Sequence, residues 1–338
     1  MDAFLEYLSQ VSSNIVQTFT RDSSFLSLWP MLIAGLLALF IISRRLRLKA
    51  ESRGRPAQPR LKTLRRALLP KWLITHPSSK MDVRIFVINH ALIFFGLFAA
   101  VLTPYVFAES FAALVNAAGL AETNRAAGWG ERLAYTIMMV LAWDFAATYA
   151  HYLKHRIPMF WEFHKVHHSA DVMTPLTATR RHPMETVLGV FVSGTVIGAC
   201  IALWHLVVGH GVSGITIFGA WSGIYLWRLL GYNLRHSHVW ISYGDRWNRI
   251  LVSPAQHQIH HSRNPKHHDT NFGHIFSVWD YLLGTLYLPK EKERVKFGID
   301  TDDAEDFKTL QGVYFSPFIK SWTMLTRKLK WNMSQASR

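Results

Sequence analysis

The chain has 338 residues, half of them apolar, with a formal charge of +15 and 13% Phe, Trp and Tyr. Its length would accommodate two soluble domains, but the apolar share and long apolar runs are those of an integral membrane protein. The positive charge does not indicate nucleic acid, because the Lys and Arg flank apolar segments as they do on the cytoplasmic side of a membrane. Cys200 is the single cysteine, which excludes an intrachain disulfide and any Cys-based zinc or iron–sulfur site.

In chain order, residues 1–24 are mixed in polarity, lack the basic start of a signal peptide and hold one basic residue, Arg21. Five apolar stretches follow: Phe25–Ser43, Val83–Phe107, Leu133–Leu153, Thr186–Val208 and Val212–Tyr232. Each is long enough, or nearly so, to span a bilayer as a helix. Between the first two, the run from Arg44 to Lys71 carries eleven Lys or Arg, and Pro56 and Pro59 interrupt any continuous helix. This basic loop is expected in the cytoplasm. Alternating sides from it puts the N-terminus outside, and the 154–185 loop and everything after Tyr232 inside. Few residues around Gly209–Gly211 separate the last two stretches, so they are expected to form a helical hairpin, either crossing fully or entering deeply. The tail segment Phe315–Trp331 mixes apolar residues with Lys320, Arg327, Lys328 and Lys330, as a helix on an anionic membrane surface or the basic end of a soluble helix does.

The expected fold class is therefore an all-α integral membrane protein, with four to five transmembrane or hairpin helices and a cytoplasmic His-rich helical cap. Its expected divisions are an extracytoplasmic segment 1–24, two transmembrane helices in 25–132 with a basic loop 44–80, a metal-binding domain 133–290, and a basic cytoplasmic tail 291–338.

The chemistry is concentrated in 18 histidines. His164-Lys165-Val166-His167-His168 and His257-Gln258-Ile259-His260-His261 repeat one H-x-x-H-H pattern. On a helix, positions i, i+3 and i+4 share a face, so each box aims three imidazoles at one spot. His151 and His155, four apart at the cytoplasmic end of the third apolar stretch, face together as well. Neutral imidazole suits zinc, iron, copper or nickel. Eight such ligands exceed what one tetrahedral or octahedral ion uses, so the set asks for two metals. Asp144 lies two turns before His151 on the same face and is expected to accept an imidazole N–H, fixing its tautomer. His182, in Arg180-Arg181-His182-Pro183-Met184-Glu185, is a further candidate ligand that Glu185 would orient. His236 is another, with His238 in reserve. The second box is followed by Trp279-Asp280-Tyr281-Leu282-Leu283-Gly284-Thr285.

Two H-x-x-H-H boxes, a preceding H-x-x-x-H, an H-P-x-E and a closing W-D-x-x-x-G-T resemble the fatty acid hydroxylase/sterol desaturase superfamily over roughly residues 140–290. The resemblance implies an integral membrane, non-haem di-iron oxygenase whose ligands would be His151, His155, His164, His167, His168, His257, His260 and His261. His182 and His236 would complete two coordination shells. At His238, relatives of this type often carry Asn.

What the resemblance implies is two iron ions with O2 as co-substrate, hydroxylating or desaturating a membrane lipid. The absence of G-x-G-x-x-G, C-x-x-C-H and H-P-G-G motifs implies that electrons come from a separate ferredoxin, cytochrome or reductase. A bacterial inner membrane with the metal site facing the cytoplasm is the expected setting. An aminolipid such as an ornithine lipid fits it best, ahead of sterol-type, alkylglycerol and carotenoid substrates. Readings of other classes are a membrane zinc hydrolase, which lacks its usual H-E-x-x-H base, and a metal sensor or transporter. A transporter would place its ligands near the bilayer midplane.

Overall fold

A computed structural model of the chain describes residues 2–20, 24–54, 61–94, 126–217, 220–290 and 292–336 apart from 301 and 303, together with isolated positions between 110 and 118. The chain begins with α1 (Asp2–Thr20), α2 (Leu28–Glu51), α3 (Leu61–Leu68), α4 (Lys71–Thr75) and α5 (Pro77–Phe94). The first expected span thus lies within a longer helix whose C-terminal turns carry the basic residues. The second expected span begins in α5 and runs beyond Phe94, outside the described residues. Ala34 and Ala38 of α2 pack against Leu234 and Val239. Phe19 of α1 lies 5.7 Å from Phe86 of α5 between ring centroids.

Next come α6 (Trp129–Arg156), α7 (Pro158–His168) and α8 (Pro183–Val208). Among the described residues, α6 and α8 are long and apolar enough to cross a membrane. They touch through Ala146 and Ala150 of α6 and Val192 of α8, small side chains that let two backbones approach closely. The outer face of α8 exposes Phe191, Leu203, Leu206 and Val207. Gly209, at φ +80°, ends the helix in the left-handed region.

The segment expected as a fifth span is not a continuous helix. Thr216–Ile217 (β1) pairs antiparallel with Ala220–Trp221 (β2), in register Thr216↔Trp221. A short helix α9 (Ser222–Trp227), a π-turn over Arg228–Tyr232 and α10 (Asn233–Arg235) follow. Two causes are visible. Gly211 and Gly214 leave the backbone free to turn, and the β-branched Val212, Ile215, Thr216 and Ile217 favour an extended chain. The hydroxyl of Thr136 on α6 then accepts from the Ile215 N–H at 2.8 Å, fastening the hairpin.

The remaining residues form short helices and loops followed by one long helix. They contain α11 (Gly244–Asn248), α12 (Pro254–His260), α13 (Val278–Leu283) and α14 (Leu310–Ala336). The segment expected as a tail is part of the packing. Ile299, Phe307 and Val313 join Val166 of α7 and Met81 and Ile85 of α5 in one buried cluster.

Candidate metal centre

Four short pieces of chain deliver the imidazoles. The last turns of α6 carry His151 and His155. Pro158 opens α7, where its missing N–H costs nothing, and α7 ends in the first box. The second box sits on α12, whose start is fixed by a capping box: the Gln256 N–H reaches the Ser253 hydroxyl, and Gln256 Oε1 accepts from the Ser253 N–H at 2.9 Å. His236 follows α10 directly.

These pieces bring nine imidazoles into two groups. His151, His155, His164, His168 and His260 form one, and His167, His236, His257 and His261 the other; within each group the ligand atoms lie within 4.8 Å of one another. The boxes interleave. The first gives His164 and His168 to the larger group and His167 to the smaller, while the second gives His260 to the larger and His257 and His261 to the smaller. The groups adjoin where the rings of His168 and His261 stack, 4.4 Å apart.

Hydrogen bonds fix most of the tautomers. The Nδ1–H of His151 donates to Phe272 O at 3.0 Å, that of His167 to Arg180 O at 3.2 Å and that of His260 to Thr270 O at 2.8 Å. His164 Nδ1–H donates to Glu185 Oε2 at 2.7 Å. A carbonyl can only accept, so in the neutral ring each corresponding Nε2 carries a lone pair and no proton. Nε2 of His151 and of His164 nevertheless face each other at 3.1 Å, a contact that repels unless a cation lies between them. Nε2 of His155, His168, His260 and His261 is buried with no hydrogen-bond partner among the described residues.

Protonation does not relieve this. Burial, reinforced by the neighbouring imidazoles and by Lys154, Arg181 and Arg235, holds His164, His167, His168, His236, His257 and His261 well below the usual imidazole value, and burial brings His260 down to about 4. Buried, neutral, inward-pointing nitrogens with no hydrogen-bond partner fit two borderline metal ions. His257 differs, because Arg235 Nη2 donates to its Nδ1 at 2.8 Å. Arg235 only donates, so the neutral ring keeps its proton on Nε2, which points to His236 Nε2 at 2.9 Å. A metal ion held through His257 Nε2 would have to replace that proton, releasing it to solvent.

Three expected roles are corrected. His182 joins neither group: its Nδ1 caps α8 by accepting from the Met184 N–H at 3.1 Å, and its Nε2 meets Tyr314 O at 3.2 Å. Glu185 takes the His182 backbone N–H at 3.3 Å, but the imidazole it orients is His164, and it also holds Lys154 Nζ at 3.1 Å. Asp144 accepts no imidazole. It takes the Ile275 and Phe276 N–H groups at 2.6 and 3.0 Å and the Trp279 indole at 2.7 Å. By doing so it secures the loop whose Phe272 carbonyl orients His151. His238 is also separate, donating to Ala67 O at 2.8 Å.

Sequence reasoning missed other supports. Asp280 accepts from the N–H groups of Phe272 and Gly273 at 2.7 and 2.8 Å and from Thr285 Oγ1 at 2.7 Å, which gives the W-D-x-x-x-G-T run its physical task. Arg180 is buried and ties Val166 O in the middle of the first box to Asp82, at 2.9 and 3.0 Å. The run of polar residues before His182 was the available signal. For Arg235, the signal was its place beside His236.

Residues 136–285 match the family model described as fatty acid hydroxylase. The matched stretch holds both H-x-x-H-H boxes. Its curated relatives include ornithine lipid hydroxylase OlsE of Rhizobium tropici, 27% identical over 184 residues, which is 53% of this chain and 49% of that protein. Alkylglycerol monooxygenase of Caenorhabditis elegans is 24% identical over 185 residues, 55% of this chain and 32% of the relative. Very-long-chain aldehyde decarbonylase GL1-1 of Oryza sativa subsp. indica is 29% identical over 171 residues, 48% and 25% respectively. The matched part thus spans about half or less of the length of these relatives. No solved structure matches the chain. All nine grouped histidines lie inside the matched domain, and so do His182, Asp144 and Glu185.

Proposed function

We propose that this chain is a membrane-embedded, non-haem di-iron oxygenase that uses O2 and external electrons to hydroxylate a C–H bond of a membrane lipid. The observation that carries the reading is the pair of interlocked all-imidazole groups, in which Nε2 of His155, His168, His260 and His261 is buried without a hydrogen-bond partner among the described residues. Two iron ions, when bound, would supply O2 activation and oxidation of the C–H bond. The protein's own part is placement. Glu185 and the carbonyls of Phe272, Arg180 and Thr270 set ring orientation, and burial keeps the rings neutral.

A cleft of about 310 Å³ reaches the larger group from outside, lined by His155, His168 and His260 together with Arg263, Asp269 and Asp300. Trp161 covers two of its imidazoles, with ring centroids 4.8 Å from His155 and 5.3 Å from His168. The cleft is the approach for substrate; Asp269 is ion-paired with Arg156 at 3.2 Å, and Asp300 is the carboxylate offered to a cationic headgroup. An aminolipid such as an ornithine lipid is therefore the favoured substrate, with an alkylglycerol-type lipid as runner-up. The basic Arg44–Lys71 run supports a cytoplasmic position for the site, where a separate electron donor would dock. Zinc hydrolysis is the competing reading, since imidazole cages also bind zinc.

Two measurements on the purified protein separate the readings: its iron content, and its oxygen consumption with lipid and a reductant. Two irons per chain with lipid-dependent oxygen uptake are expected, and a zinc-loaded, oxygen-inert protein would refute the oxygenase. His167→Ala and His260→Ala, one from each group, should each abolish formation of the hydroxylated lipid, read by mass spectrometry, while leaving expression unchanged.

A further inference from the structure

A second cavity, of about 410 Å³, lies against a different face of α7 from the cleft. It falls within the usual size range of ligand sites. At 100° per residue, Phe160 and Phe163 lie roughly 120° around α7 from Trp161 and His168. Phe160 and Phe163 form one wall, Leu188 and Phe191 of α8 a second, and Phe318 and Trp322 of α14 a third. The polar side chains on the lining are engaged: Lys154 with Glu185 at 3.1 Å, and the Ser321 hydroxyl with Met159 O at 3.1 Å.

We infer that this groove seats one hydrocarbon chain of a membrane lipid. The inference rests on the membrane reading above, though not on oxygenase chemistry. The mouth of the groove opens along α8, which is long and apolar enough to cross a membrane. Phe191 at the mouth is 56% exposed, and Leu206, on the same side of the helix, is 54% exposed. On α14, Phe318 and Trp322 are 47% and 67% exposed, and Phe315 and Ile319 extend the same apolar rim. At the inner end sits Glu185, whose same oxygen takes Lys154 and the Nδ1–H of His164.

The test uses the full-length protein in nanodiscs of phosphatidylcholine bearing a diazirine midway along one acyl chain. Irradiation and peptide mapping are expected to show adducts enriched at Leu188, Phe318 and Trp322 over the bulk-lipid position Leu203. Leu188→Trp, which fills the groove, should lose the groove adducts and keep those at Leu203. Trp322→Glu, at an exposed rim position, gives the same readout without burdening the core. Groove labelling no higher than at Leu203, or undiminished in both variants, overturns the seat. Labelling at neither place overturns the seat and the membrane reading together. An iron-free, oxygen-inert protein that still labels in the groove keeps the seat and removes the oxygenase.

Discussion

Glu185 shows how little of a metal centre resides in its ligands. One carboxylate oxygen meets the Nδ1–H of His164 and the ammonium of Lys154, and the other takes the backbone N–H of His182. Glu185→Gln keeps the shape and removes the charge, and should lower iron retention by about 10–100-fold, read as metal loss during competition with a chelator. The buried imidazoles also set a pH dependence. His260 is held at about 4 against its usual 6.5, so between those values the unfolded chain binds protons that the folded one refuses. Stability of the metal-free protein should therefore fall as pH drops from about 7 to about 5, seen as a lower denaturation midpoint; an unchanged midpoint would count against neutral rings. At this scale the sequence displayed ligand types well and partners poorly. His182 beside Pro183 and Glu185 has the look of a ligand, yet as an N-cap with both nitrogens engaged it has none to spare.

Among elements, α7 and α12 were legible because H-x-x-H-H has meaning only on a helix, and Pro158 and Ser253 announce where those helices start. The stretch Val212–Tyr232 was not. Hydropathy reports burial in apolar surroundings, and it cannot tell a spanning helix from a glycine-broken hairpin anchored by the Thr136 hydroxyl. The loop Phe272–Trp279 was equally hidden, since its purpose depends on Asp144 and Asp280 arriving from distant parts of the chain. Gly273 is confined there: an added Cβ would lie 2.6 Å from Asp280 Oδ2 and 2.7 Å from Val252 Cγ2. Gly273→Ala should cost about 1–3 kcal/mol in thermal or chemical unfolding. It should also loosen His151, because the loop would have to retreat from the carbonyl contact at Phe272.

For the whole molecule, helical character and the joining of distant histidines could be read from composition and spacing, whereas the burial of Ile299, Phe307 and Val313 in one cluster could not. A region rich in charge looks solvated until its few apolar residues find a place in a core formed elsewhere. The interleaved boxes carry a consequence for how the protein fills. Neither α7 nor α12 contributes to one histidine group alone, so a first metal ion would immobilise both helices and thereby order the second group. Uptake should then be all-or-none. Native mass spectrometry during iron titration should show chains with zero or two ions and few with one; a dominant singly occupied species would mean that the compartments act independently.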